Sequence, residues 1–463
     1  MATDTRPATS GLDRYFHISE RGSTVRTEIL AGLATWLTMA YILFVNPQIL
    51  GALPDREGVT LAFPQVLTVT ALVAGVLCLF MGLYANYPFA LAAGLGLNAF
   101  VAFTLVGGNG LTWAEAMGVI LIEGLLITAL VLTGLREAIL NAIPMDLKRA
   151  IGIGIGLFIA FIGLRNGGVV VADEATTVGL NPDLTTLPVL IFAIGLALTG
   201  VLVAAKVRGA LLIGILGTTA VALFINYVFA NEALYATPGV GLFPSDLFVG
   251  PDFSLVGDVS FNVFEVLGFA TAAAAILSVM LSDFFDTMGT VVGLGGEAGL
   301  LDDKGKLPRM NRVLLVDSLG AAAGGAASSS SNTTYIESAA GIAEGGRTGL
   351  TAVVVGLLFL LSLFLSPLAG MIPPEATAPV LVIVGYFMMT LVRDIAWNDP
   401  RIGIPALLTM LMMPLTFSIT NGVAAGFVAY TVINAFSGRW KDVHWLMYLV
   451  SAAFVWYFLH GVL

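Results

Sequence analysis

Uncharged apolar runs of 17 or more residues recur along almost the whole chain, separated by short polar connections. Each is long enough to cross about 30 Å of hydrocarbon as a helix. The pattern predicts fourteen spans, at 27–47, 64–83, 87–106, 113–135, 146–165, 186–205, 209–229, 262–292, 311–327, 330–345, 349–370, 376–392, 403–417 and 420–436. A last apolar stretch, 443–462, either crosses as a further helix or lies at the interface, where Trp445, Tyr448, Trp456 and Tyr457 would be at home; the interfacial reading is favoured because the charge pattern is complete without it. Span 8 is long for one crossing, so its first turns are expected outside the bilayer. Segments 3 (PFALAAGLGLNAF) and 10 (AASSSSNTTYIES) break their apolar runs with small or polar residues. A lipid-facing helix does not read this way; a broken helix turning its backbone toward a cavity does.

Composition sharpens the membrane assignment. The chain is 58% hydrophobic and 11% charged, with 53 glycines and a mean hydropathy of +0.95, whereas soluble proteins carry roughly 25% charged residues. That excludes a soluble enzyme or a nucleic-acid binder. The net charge of -10 is spread over connections and identifies no partner. Cys78 is the only cysteine and reads as a packed small apolar residue. His17, His444 and His460 lie in the tails and form no ligand cluster, so neither a metal nor a cofactor is expected. The N-terminal 26 residues are polar for too long to read as a signal peptide.

Charge also sets the expected topology. With the N-terminus in the cytoplasm and fourteen alternating spans, 18 of the 20 Lys and Arg fall on the cytoplasmic side, and only Arg56 and Arg165 fall outside. One span more or fewer scrambles that division. Fourteen divides into seven plus seven, and an odd repeat inverts its partner. The connection 230–261 has no Lys or Arg and reads as an external linker between the halves. The expected fold is therefore an all-α polytopic membrane protein of two inverted seven-span repeats.

Carboxylates inside these spans are the candidate chemistry, because a charged group near the bilayer centre costs several kcal/mol. Asp283 and Asp286 are three apart in VMLSDFFDTMGTVVG and fall on roughly one side of a helix. Two close carboxylates in low dielectric repel, which favours keeping one protonated and offers a route to proton coupling. Glu337 follows seven consecutive hydroxyl or amide residues, 328–334, and is the acceptor expected for substrate N–H groups. Asn98 follows Gly94 and Gly96 and offers both a donor and an acceptor, matching a purine edge equally as well as an interhelical amide bond. Asn332 adds a polar group near the same segment. Asp317, early in span 9, reads as a proton carrier behind the site or as a tie between domains; Glu123 and Glu265 read as structural.

Four stretches together resemble the AzgA-like adenine/guanine/hypoxanthine permeases, a branch of the nucleobase–ascorbate transporter superfamily: LTMAYILFVNP at 37–47, GLGLNAF at 94–100, DFFDTMGT at 283–290 and YIESAAGIAEGGRTGL at 335–350. The resemblance implies a core domain (27–135 and 262–370), a gate domain (136–229 and 371–463), a cytoplasmic tail (1–26), and a short strand in each of segments 3 and 10. It implies a proton-coupled symporter importing purine nucleobases into the cell across the cytoplasmic membrane, by an elevator-like movement of core against gate, as a homodimer through the gate domain. Asn98, Asp286 and Glu337 fall on the positions expected to bind the base, and Thr38 and Tyr41 fall in the span-1 motif. Proton coupling is expected to involve Asp286, Glu337, Asp283 and Asp317. The unbroken SSSSNTT departs from the family pattern, which more often places an apolar residue there. An inorganic-anion carrier fits less well, since the midplane groups are acidic; another nucleobase or a small organic anion is the alternative cargo.

Overall fold

The computed structural model describes residues 11–133, 143–173, 177–229, 240–302 and 307–460. The first ten residues, Arg136, Lys304, Lys306 and part of the linker (230–239) lie outside them. Among the described residues, nine helices are long and apolar enough to cross a membrane. Three further predicted spans are the shorter helices Met310–Ala326, Gly349–Ser362 and Pro400–Leu415, and segments 3 and 10 are broken. Span starts carry the expected local signals. Thr24, Thr348 and Ser418 accept a backbone N–H at their helix N-termini, and Pro stands in the first turn of Phe63–Phe80, Leu187–Ala204 and Pro374–Met389.

Span 1 is interrupted: Val25–Met39 ends, and Ile42–Leu50 begins after a turn at Ala40 and Tyr41. Span 8, Val263–Glu297, breaks at Gly268 (φ 72°, ψ 159°), which separates its first turn from the rest. A hairpin, Val170–Asp173 against Thr177–Leu180, follows span 5; the hydrophobic pattern had marked only a connection there, because the run is too short for a span.

Small residues let spans 4 and 9 cross almost backbone to backbone. A Cβ on Gly124 would lie 2.2 Å from the Ala322 nitrogen, and one on Gly325 would lie 2.4 Å from the Leu121 nitrogen. Larger side chains there would force the helices apart. The described part of the linker lies over the ends of the helices. Gly257 N–H donates to Ala326 O (2.8 Å) and Ser260 N–H to Ala114 O (2.9 Å). The last helix, Trp445–His460, docks on Ile419–Asn434 through Phe454 on Phe427 and a 2.7 Å hydrogen bond between Thr431 and Ser451, while Trp445 and Trp456 stay exposed.

Candidate functional site

Segments 3 and 10 each fold into a three-residue strand, and the two strands pair. Leu91–Ala93 lies antiparallel to Asn332–Thr334, with Leu91 opposite Thr334 and Ala93 opposite Asn332. The pairing is extended at both ends, by Gly94 N–H to Ser331 O and Tyr335 N–H to Ala90 O, each 2.9 Å. The Tyr335 hydroxyl crosses back to Ala93 O at 2.5 Å. Buried backbone groups freed by breaking two helices are thus satisfied by each other, which is what makes non-helical chain tolerable at this depth.

Span 8 lies along this strand pair. The Ser331 hydroxyl donates to Asp283 (3.4 Å) and the Thr333 hydroxyl to Asp286 (3.5 Å). Ser331 immediately precedes the strand and Thr333 lies within it, while Asp283 and Asp286 are three apart on a helix, so this part of segment 10 meets one helix face. The Asp283 and Asp286 positions nonetheless differ: Asp283 is 1% exposed, whereas Asp286 opens into a cavity. Asp317, also 1% exposed, accepts three hydrogen bonds, from the Thr287 hydroxyl (2.6 Å), Thr334 N–H (2.9 Å) and the Thr334 hydroxyl (2.9 Å). It ties span 9 to span 8 and to the strand of segment 10.

Three cavities, each lined in part by Ile336 and Phe387, lie around the end of the strand pair. One of about 390 Å³ is lined by Gly94, Gly96, Ser282, Asp286 and Thr290, with Lys148, Ile151 and Ile155 of Met145–Asn166 and Phe387 and Met388 of Pro374–Met389 opposite. That volume falls within the roughly 300–1,000 Å³ of small-molecule sites. A central recess of about 110 Å³ brings Asp286, Glu337, Tyr41, Tyr335 and Thr334 together. A third, of about 440 Å³, is lined by Thr38, Glu337, Lys206 and Arg208. The turn interrupting span 1 places Tyr41, 1% exposed, so that its hydroxyl donates to Glu337 Oε1 at 2.6 Å. Losing such a bond costs about 1.5 kcal/mol, so Tyr41→Phe should lower uptake by about tenfold, with a modest fall in melting temperature in detergent.

The structure therefore gathers Asp286, Glu337 and Tyr41 at one recess. Thr38 lines only the third cavity, and its hydroxyl donates to Ala34 O of its own helix at 2.8 Å. Asn98 is fully enclosed, lines none of these three cavities, and its side-chain amide has no hydrogen-bond partner among the described residues. Asn332 is likewise buried; its amide donates to Ser329 Oγ and Ser330 O, both at 3.0 Å, so it braces the loop before the strand. Tyr335, Thr290 and the apolar wall of Ile159, Val384 and Phe387 were missed from sequence. An apolar residue facing a cavity and one facing lipid look the same along a chain.

A family model described as "Permease family" (Xan_ur_permease) matches residues 26–453. The chain is 42% identical over 444 residues to the adenine permease AdeQ of Escherichia coli K12, covering 96% of this chain and 95% of the relative. It is 40% identical over 448 residues to the guanine/hypoxanthine permease PbuG of Bacillus subtilis 168, covering 96% and 99%. These relatives agree with the family resemblance read from the four motifs. Among solved structures, the transmembrane domain of the cyanobacterial bicarbonate transporter BicA superposes with a TM-score of 0.61 at 13% identity, over 87% of this chain and 97% of that one. At that identity the likeness carries the fold alone, a polytopic membrane transporter fold. With a family model spanning nearly the whole chain and relatives at about 40% identity over the same length, the chain belongs to this Permease family, and it is a transporter rather than an enzyme.

Proposed function

We propose that the protein imports purine nucleobases together with protons, the base being held at the recess between the paired strands and span 8. The observation that carries this reading is the convergence of two carboxylates, Asp286 and Glu337, on one recess. A purine edge presents N–H donors, which carboxylates accept, and its ring acceptors fit the backbone N–H groups of the broken segment 3. Glu337 and Asp286 are the substrate and proton groups, Tyr41 positions Glu337, and Asp283 and Asp317 sit behind them. Asn98 acts beside the recess, its amide, unpartnered among the described residues, being available to a rearranged site; Asn332 and Thr38 act through the surrounding loop and cavity. Protonation of one carboxylate when both approach the base relieves their repulsion, which links proton binding to substrate binding.

The wider reading has two inverted seven-span repeats, a core of 27–135 and 262–370, and a gate of 136–229 and 371–463. The N-terminus is cytoplasmic in the inner membrane, and two copies meet through the gate. Support comes from the pairing of segment 3 with segment 10, which occupy matching places in the two halves. Cavity walls contributed by Met145–Asn166 and Pro374–Met389 are what an elevator-like movement of core against gate requires. The adenine and guanine/hypoxanthine relatives direct the choice of cargo.

The test is uptake of labelled hypoxanthine by purified protein in liposomes under an inward proton gradient. Accumulation blocked by unlabelled adenine or guanine but not by uracil is expected. Equal block by uracil would indicate a general nucleobase carrier, and block by small organic anions the other alternative. Equilibration without accumulation would remove the proton from the mechanism.

A further inference from the structure

Behind the central recess the two carboxylates part. The 390 Å³ cavity is lined by Asp286 and not by Glu337, and the 440 Å³ cavity by Glu337 and not by Asp286. Ile336 and Phe387 line all three spaces, so an apolar pair stands where the branches join. The branches differ in what they touch. The first runs past Gly94 and Gly96 of segment 3 and Ser282 and Thr290 of span 8, which offer polar and backbone groups to a moving base. Among the described residues the second touches none of segment 3 or span 8; it reaches Glu337 between Thr38, Ala340 and the 203–211 connection.

We propose that the 440 Å³ cavity is a water branch through which Glu337 exchanges its proton with the aqueous phase, separate from the branch the base takes past Asp286. This rests on the proton-coupled reading given above. The step is simple: the carboxylic O–H of Glu337 breaks, a branch water takes the proton as hydronium, and the carboxylate keeps the electron pair. The anion left behind retains the Tyr41 hydroxyl at 2.6 Å. The other charged or titratable groups facing it are Tyr335 and Asp286 across the recess and Lys206 and Arg208 along the branch. Glu344 pairs with Arg208. Separate routes let the proton leave without passing the bound base.

The test blocks each branch reversibly in folded protein. Val207 lines only the second branch and is 38% exposed. Gly152 lines the first, and a Cβ there meets only Leu391 Cδ1 at 3.9 Å. The native Cys78 is buried and gives little background. Val207→Cys and Gly152→Cys are each reconstituted, labelled with a benzyl methanethiosulfonate, and assayed before and after reduction. Two activities are read: exchange of labelled for unlabelled hypoxanthine, which needs no net proton release, and gradient-driven accumulation. Labelling Val207→Cys should cut accumulation about tenfold or more while exchange stays within about twofold, and reduction should restore it. Labelling Gly152→Cys should suppress both. Loss of exchange together with accumulation at position 207 would make this the base's own route, and loss of neither would leave the branch without a task; either result overturns the proposal. Unlabelled protein tests the symport reading separately, through its accumulation under the same gradient.

Discussion

Asp286→Asn should abolish gradient-driven purine uptake while leaving membrane expression and monodispersity intact. The side chain opens into the cavity rather than into packed protein, so an isosteric amide costs the fold little. What it removes is a charge-assisted acceptor, about 1.5–3 kcal/mol and thus about 10- to 150-fold in apparent affinity, together with a site that can take up and release a proton. Glu337→Gln should behave alike, because the amide keeps an oxygen for Tyr41 but no longer ionises. Binding of hypoxanthine by calorimetry separates the two losses: weak binding with no accumulation supports the assignment, and wild-type uptake in both variants would sink it.

Asp317→Ala should fail differently, at the level of folding. This carboxylate accepts from the Thr287 hydroxyl, Thr334 N–H and the Thr334 hydroxyl. Removing it strands three donors in a region with no exposure, at about 1–3 kcal/mol each. The total is comparable with the roughly 5–15 kcal/mol that separates folded from unfolded domains. Expected results are a low yield of folded protein in detergent and a strongly depressed melting temperature. Asp317→Asn, which keeps one acceptor oxygen, should be milder. A variant Asp317→Ala that melts like wild type but transports nothing would move Asp317 from the scaffold to the proton route.

Class of protein, most helix positions and the two acidic groups at the recess were legible along the chain. These rest on local signals: apolar runs of membrane length, Gly and Ser/Thr clusters that stop a helix, and the cost of a carboxylate in hydrocarbon. The same signals marked segments 3 and 10 as broken, and motif resemblance added the strands. Which polar groups share a space depends on how distant segments pack. Asp283, Asp286 and Asp317 look alike along the chain, yet two are spent bracing segment 10 and one opens into the cavity, because each meets a different neighbour of the strand. Asn332 and Asn98 are enclosed away from the recess that Glu337 reaches, a difference of surroundings that no residue type announces. The opposing wall of Ile155, Ile159 and Phe387 carries no polar mark, so nothing in one dimension separates it from lipid-facing sequence. Burial, partner and access are set by chain segments hundreds of residues apart; Leu91 and Thr334 become neighbours only when the two broken helices pair.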